Sequence, residues 1–427
     1  MGDINQALRD AAEKGDLAGI RAAIAGGADR NAWPAGADSA LCYAAMYDHV
    51  DAVKLLVEAG ADVSHPGSYG RRPLHYAKRP EIAAYLIDHG ADLAVRHDGG
   101  HDALHDLMTR FDNEAVAAVL LDRGLPVIRY ATAPPSIHTV VSHLQWAVHC
   151  KRPKCVRLLL TSGGDPNEFA TNGGPVIFQA LGPPPAGNEI ARMLIEAGAR
   201  VDSVDFVDCP LLPQLCDRRD PELVAVALAH GGRVDSEAMQ RAARVGDLEV
   251  LTILLEHPTA QIDAVNTYGV TALMTAAHAG RDAAVEMLLR CGATPTLRDR
   301  DGETALHRAA DGRSLAVVHR LLAAGCRLEE ETEAGWTPLE YAARSDAYAI
   351  VEDLLARGVD LDHRTRDGKT PLMIASAAGA PIVHSLLEKH GADRSLVDAE
   401  GKTAADYALA RAKQEEEKER ERAERFY

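Results

Sequence analysis

Two histidines four residues apart, His101 and His105 in HDALH, are spaced to share one helix face, an arrangement that can hold a zinc ion. A hydrolytic zinc helix also carries a glutamate directly after the first histidine, and Asp102 stands there instead. A second group, His143, His149, Cys150 and Cys155 in HLQWAVHCKRPKC, sets thiols beside imidazoles, the pairing behind a Cys–His nucleophile or a mixed metal site. Arg218 and Arg219 in CDRRDPE could grip a carboxylate or phosphate with paired N–H donors. No glycine-rich phosphate loop follows a strand-like run, and no Cys-x2-Cys pair occurs.

The elements that must position these residues repeat. Gly292, Gly325, Gly358 and Gly391 follow one another at a constant interval of about 33 residues. A leucine precedes each by one fixed step: Leu273, Leu306, Leu339 and Leu372, in the strings GVTALM, GETALH, GWTPLE and GKTPLM. Self-similarity at this period marks a stacked array in which each unit buries its apolar face on its neighbours. The unit DGETALHRAADGRSLAVVHRLLAAGCRLEE, from Asp301, shows how. Asp-Gly makes a tight turn, and Thr304 is placed to cap a helix. Leu306, Ala309 and Ala310 give that helix a small-residue face, and Ala316, Val317, Leu321 and Leu322 mark a second, more apolar helix. Gly325 ends it, because a left-handed residue there needs no Cβ.

This helix–turn–helix–hairpin unit resembles the ankyrin repeat, with its G-x-T-P-L-H-x-A-A opening and its V-x-x-L-L helix ending in G-A-D. The pattern stands in GWTPLEYAA (335–343), GKTPLMIAS (368–376), LLVEAGADV (55–63) and LLEKHGADR (386–394). The resemblance covers nearly the whole chain and implies an all-α solenoid of about twelve units. They centre on Ala11, Ala44, Leu74, Leu104, Ala147, Phe178, Leu215, Ala242, Ala276, Ala309, Ala342 and Ala375, and a C-terminal cap follows at GKTAADYA (401–408). The cap is expected to shield an apolar flank around Leu386 and Leu387.

The repeats are uneven. Residues 1–235 form an irregular block with Pro-rich insertions, 236–412 a regular block with the cap, and 413–427 a charged helical tail. Within the first block, the step from Leu74 to Gly90 is shorter than the Leu-to-Gly step of the regular units. A long connection runs from Gly124 to Leu144, GPPPAG (182–187) is inserted between two helices, and the unit near Pro210 keeps only an outline. The tail KQEEEKERERAERFY mixes both charge signs at helical spacing, which fits an exposed helix ending in Phe426-Tyr427.

The resemblance gives the histidines a different meaning. Asp102, Leu104 and His105 match the family's Thr, Leu and His positions, and His75 and His307 share the last of these. In ankyrin repeats that histidine is a structural donor bridging backbone between neighbours, so no metal ion and no cofactor is expected. His149 and Cys150 match exposed positions at the end of the first helix. The family's contact positions, at the finger tips and after the Ala-Ala pair, map here onto Tyr268, Val270, Asp301, Glu303, Trp336 and Lys369, and onto Tyr47, His149, His278 and Arg344. Aromatic and arginine side chains are the types that anchor interfaces.

A net charge of −17 opposes nonspecific binding to nucleic acid or anionic membrane, and no segment has the roughly 18 uninterrupted apolar residues of a membrane span. The start of the chain lacks a basic region followed by an apolar run, so no secretory signal is expected. Seven scattered cysteines read as reduced thiols, placing the protein in the cytoplasm or nucleus. The expectation is a monomeric scaffold or adaptor holding a protein or peptide in a concave groove. A second reading is an enzyme with a pocket in the irregular middle, about 128–220, where His143, His149, Arg218 and Arg219 converge.

Overall fold

The computed structural model describes residues 2–32, 37–127, 142–170, 174–182, 185–205 and 207–424. Most of the long connection after Gly124 (128–141), part of the 182–187 insertion and the terminal Phe426-Tyr427 lie outside the described residues. Among those described, the chain folds into 25 α-helices, arranged as twelve pairs and a single last helix, with no strands. Each centre read from the sequence falls in the first helix of its pair.

Contacts gather the chain into two units, 1–211 and 212–427. In the first, the first helices of repeats 1–6 are Gly2–Lys14, Ala40–Met46, Pro73–Tyr76, Ala103–Arg110, His143–His149 and Val176–Ala180. Each packs on the next, and the second helices form a parallel row behind them. In the other unit the first helices of repeats 8–12 are Ser236–Val245, Ala272–His278, Ala305–Asp311, Pro338–Arg344 and Pro371–Ala378. The last helix, Ala404–Glu424, packs on the first helix of repeat 12.

The repeat period is a packing period. Leu273, Leu306, Leu339 and Leu372 are each 1% exposed, and Ala276, Ala309, Ala342 and Ala375 are wholly buried where successive first helices meet. Small alanines let those helices approach closely. On the second helices the buried stripe is Val285, Val318, Val351, Leu288, Leu321 and Leu354. Leu322 and Leu355, the second member of each Leu-Leu pair, are only half-buried, and Ala316 is exposed. In these two helices the core-facing stripe takes Leu321 and Leu354 and leaves the next leucine at its edge.

Hydrogen bonds between repeats fix the stacking. The fingers are joined by Arg300 N–H to Tyr268 C=O (2.9 Å), Glu333 N–H to Asp301 C=O (2.9 Å), Arg366 N–H to Ala334 C=O (3.0 Å) and Ala399 N–H to Asp367 C=O (2.9 Å). Cationic side chains reach back to the open carbonyl end of the preceding first helix: Lys78 to Met46 (2.7 Å), Arg152 to Met108 (2.7 Å) and Arg281 to Arg244 (2.9 Å). These contacts satisfy orphan C=O groups and complement the helix dipole.

The cap differs from expectation in what it covers. Its helix lies on Pro371–Ala378, and Arg411 donates to Ala378 C=O at 2.5 Å, so it shields the first helix of repeat 12 rather than the second helix with Leu386 and Leu387. Deleting 401–427 should therefore uncover the flank of a helix rich in buried side chains, among them Leu372, Met373 and Ile374. Each buried side chain of this kind contributes roughly 1.5–3 kcal/mol. The truncated chain is expected to melt several degrees lower and to self-associate in light scattering; a monomer with unchanged melting would remove the capping role.

Candidate protein-binding surface

Eight of the ten contact residues read from the sequence belong to the unit 212–427, and they fall on three lines with the repeat spacing. Tyr268, Asp301 and Asp367 sit at finger tips. Val270, Glu303, Trp336 and Lys369 stand two residues further on. His278, Asp311 and Arg344 end the first helices. Tyr268 is 69% exposed, and its backbone is held by Asn266 Oδ1 accepting from Tyr268 N–H at 2.9 Å.

The structure joins several of these into one ensemble. Trp336 packs edge-on against Tyr341 at 5.3 Å, and the Arg344 guanidinium lies over both rings, 4.8 Å from Tyr341 and 5.4 Å from Trp336. Arg344 also donates to Asp311 Oδ1 at 2.8 Å, and His278 approaches the other Asp311 oxygen at 3.7 Å. Tyr341 Oη donates to Glu303 Oε1 at 2.6 Å, across one repeat. Burial, together with the Glu303 carboxylate, pushes the Tyr341 hydroxyl far above its ordinary pKa, so it stays a donor. Arg308 pairs with Glu303 at 2.5 Å and with Asp299 at 2.6 Å. Glu303 is therefore an internal strut, with only 14% of its side chain exposed, rather than a free finger group. Trp336 is half-buried on its own repeat. Lys369 pairs with Asp367 at 2.6 Å and sits 5.7 Å from the Tyr407 ring.

Sequence reasoning missed Tyr341, which holds the centre of this ensemble. Its signal was a large ring one place before the Ala-Ala pair, where the equivalent residues are Arg308 and Thr275.

The other two residues lie in the unit 1–211, three repeats apart. Tyr47 is 47% exposed and stacks on Tyr43, with centroids 6.5 Å apart. His149 is exposed, stacks on Trp146 at 5.5 Å and meets Gln179 at 3.3 Å.

Behind them lies a histidine cluster. His75, His97, His101, His105 and His143 follow one another with ring centroids 4.4–5.7 Å apart. Asp102 is 1% exposed and caps its helix by accepting from Leu104 N–H and His105 N–H, both at 3.1 Å. The same carboxylate meets His105 Nδ1 at 2.9 Å and, across the repeat boundary, His143 Nε2 at 2.8 Å. Burial alone would raise its pKa, but these two imidazoles outweigh it and hold the carboxyl far below the usual range. The unmodified slot is seen at Thr304 and His307, where Nδ1 faces the threonine hydroxyl at 2.9 Å and Nε2 donates to Glu330 C=O at 2.8 Å.

Among the described residues, two sets of side chains come close enough to be asked whether they hold a metal: His97, His101 and Asp106, and Asp102, His105 and His143. In the first, Gly99 N–H donates to His97 Nδ1 at 2.8 Å, which leaves the proton on Nε2 and no lone pair facing Asp106. Arg71 already holds Asp106 at 2.9 Å. The second offers three buried groups, where a closed structural zinc site takes four. The thiols are not activated either. Burial pushes Cys155 up to about 12 and also raises Cys150, so both stay protonated at neutral pH. A cavity of about 680 Å³ lies between the fingers of repeats 6 and 7, lined by Asn167, Phe169, Ile177, Arg200 and Val204 among others; neither His143 nor His149 lines it. Arg218 and Arg219 belong to the other unit.

Comparison with known proteins gives a family. A family model described as ankyrin repeats (3 copies) matches residues 8–97, 214–299 and 284–365, and one described as ankyrin repeats (many copies) matches 354–408. Among curated proteins, the chain is 31% identical over 117 residues to ankyrin repeat protein nuc-2 of Neurospora crassa, covering 26% of this chain and 11% of that protein. It is 38% identical over 91 residues to human ankyrin repeat and SOCS box protein 11 (21% and 27%). It is 42% identical over 65 residues to human protein phosphatase 1 regulatory subunit 27 (14% and 42%). The matched stretches thus span less than half of each relative's length.

Proposed function

We propose that this chain, which belongs to the ankyrin repeat family, is an adaptor that binds a partner protein or peptide along the three residue lines of repeats 9–12. Ankyrin repeats are protein-interaction modules, and the relatives include a regulatory subunit. The observation that carries the reading is the ring-and-guanidinium ensemble of Trp336, Tyr341 and Arg344. It is pre-set by Asp311 and Glu303, and Tyr268, two repeats earlier, stands exposed at a finger tip. A side chain already fixed in the free protein loses little rotamer entropy on binding. The adaptor acts as a monomer in the cytoplasm or nucleus, a placement supported by seven cysteines that are all free thiols. Neither a catalytic group nor a cofactor enters this reading.

The test compares Tyr268→Ala and Arg344→Ala with the unaltered chain in affinity purification, then in binding to whichever protein is recovered. True anchors lose about 2 kcal/mol or more each. Folding should change by less than about 1 kcal/mol, because Tyr268 is exposed and the Arg344–Asp311 pair is a surface pair. Trp336→Ala should lower both binding and melting, since the ring packs on Tyr341. Unchanged binding in both alanine variants would move the contact surface elsewhere.

A further inference from the structure

Repeat 3 is one helical turn short. Its first helix, Pro73–Tyr76, has four residues, against seven in repeat 2 (Ala40–Met46) and eight in repeat 4 (Ala103–Arg110). The last turn of the repeat 4 helix therefore extends beyond its neighbour. A cavity of about 670 Å³ opens there, at the helix-to-helix turns of repeats 3, 4 and 5. Lys78, Arg110, Arg152 and Lys154 line it, against Asp112 and Glu114, a local balance of 4 − 2 = +2 in a chain of net −17.

The two acids offset only half of this charge. Asp112 turns its carboxylate to Lys154 N–H (3.2 Å) and Cys155 N–H (3.1 Å), capping the next helix. Lys78 and Arg152 use part of their donor capacity on the carbonyls of Met46, Met108 and Thr109. Arg110 and Lys154 are exposed and make no ion pair among the described residues. Phe111, 39% exposed, adds an apolar wall beneath the Lys78 ammonium at 5.7 Å.

We propose that this cavity is a second docking site, which receives an acidic segment of a partner protein. The charge of the walls selects the occupant. A basic segment drawn to the acidic remainder of the chain is repelled here, while a run of Asp and Glu meets four cations over an aromatic floor. The missing turn of the repeat 3 helix supplies the room. The site lies in the unit 1–211, so it stands or falls independently of the adaptor surface on repeats 9–12.

The experiment uses the full chain and a fluorescein-labelled oligo-glutamate peptide, followed by anisotropy. Arg110→Glu with Lys154→Glu is compared with Arg21→Glu with Lys54→Glu, which makes the same change of net charge on exposed helix positions of repeats 1 and 2. The expected result is saturable binding that weakens with salt, falls about tenfold or more in the first variant and is kept in the second. Circular dichroism should show both variants folded, since all four positions are exposed. No saturable binding, an equal loss in both variants, or equal binding of an oligo-lysine peptide overturns the proposal. Displacement of the peptide by inorganic phosphate but not by chloride at matched ionic strength also overturns it, because the cavity would then take a phosphate group rather than an acidic segment.

Discussion

Asp102→Ala is expected to cost roughly 3–5 kcal/mol of stability in repeats 3–5, the largest effect of any single substitution off the apolar core. Asp102 accepts from two backbone amides and two imidazoles while 1% exposed, and alanine leaves all four donors without that acceptor. Leaving buried donors unmade is more damaging than the bonds are worth when made. Asp102→Thr should be milder, since a threonine in this slot caps the helix and meets its histidine, as Thr304 meets His307. It still removes the carboxylate oxygen that His143 Nε2 meets, and His143 stands in the position the family fills with proline. Combining Asp102→Thr with His143→Pro should then recover stability relative to Asp102→Thr alone, a coupling of about 1 kcal/mol or more. Segment-resolved hydrogen exchange over 73–161 reads these differences without assuming that the whole array unfolds at once. An Asp102→Ala chain within about 0.5 kcal/mol of the parent, or additive effects in the pair, would show that the buried network carries no load.

Raising the pH from about 7 to about 9.5 is expected to loosen repeats 11 and 12 while leaving repeats 3–5 unaffected. His363 Nδ1 meets the buried Glu340 carboxylate at 2.9 Å, and Nε2 lies 3.4 Å from Glu331. The Glu340 hydrogen bond, opposed by burial and helped by both carboxylates, raises the His363 pKa to about 9. A raised folded-state pKa gives stability that is complete below the unfolded value near 6.5 and is lost as pH rises through about 9. Allowing for solvent at a partly open site, the loss is about 1–2 kcal/mol. The neighbouring Tyr341 does not share this window, because its own pKa lies well above it. His363→Gln should flatten the alkaline limb and leave the acid limb intact.

On the acid side the sign reverses. Burial holds His75, His101 and His143 below the ordinary histidine pKa, with Asp106 and Asp102 only partly opposing it, and burial lowers His307 to about 4. Stability from these neutral imidazoles is present above about pH 6.5 and declines as the unfolded chain takes up protons below it. Repeats 3–5 should therefore lose protection first between about pH 6.5 and 5, because three of the four histidines are there. Equal loss across both units, or an alkaline limb that survives His363→Gln, would contradict this assignment.

The amino-acid sequence determined whatever recurs from one unit to the next. Turn glycines, capping threonines and the Leu and Ala faces act within one helix or one turn, so spacing alone located twelve units, and every centre fell in a first helix. The missing turn of repeat 3 was legible too, in a step from Leu74 to Gly90 shorter than the step from Leu306 to Gly325. What no local pattern contains is which side chains meet across a repeat boundary. Glu303 looked like a free finger group until Tyr341, in the next repeat, was seen to hold it. Asp102 looked like a threonine substitute until His143, also in the next repeat, was found on its second oxygen. Those partners are brought together by stacking, and their separation in the chain reflects repeat length plus insertion rather than any propensity of the residues themselves. The sequence thus set the scaffold, because its forces are local and periodic, and only the tertiary structure decided which polar groups are consumed as struts and which are left to face a partner.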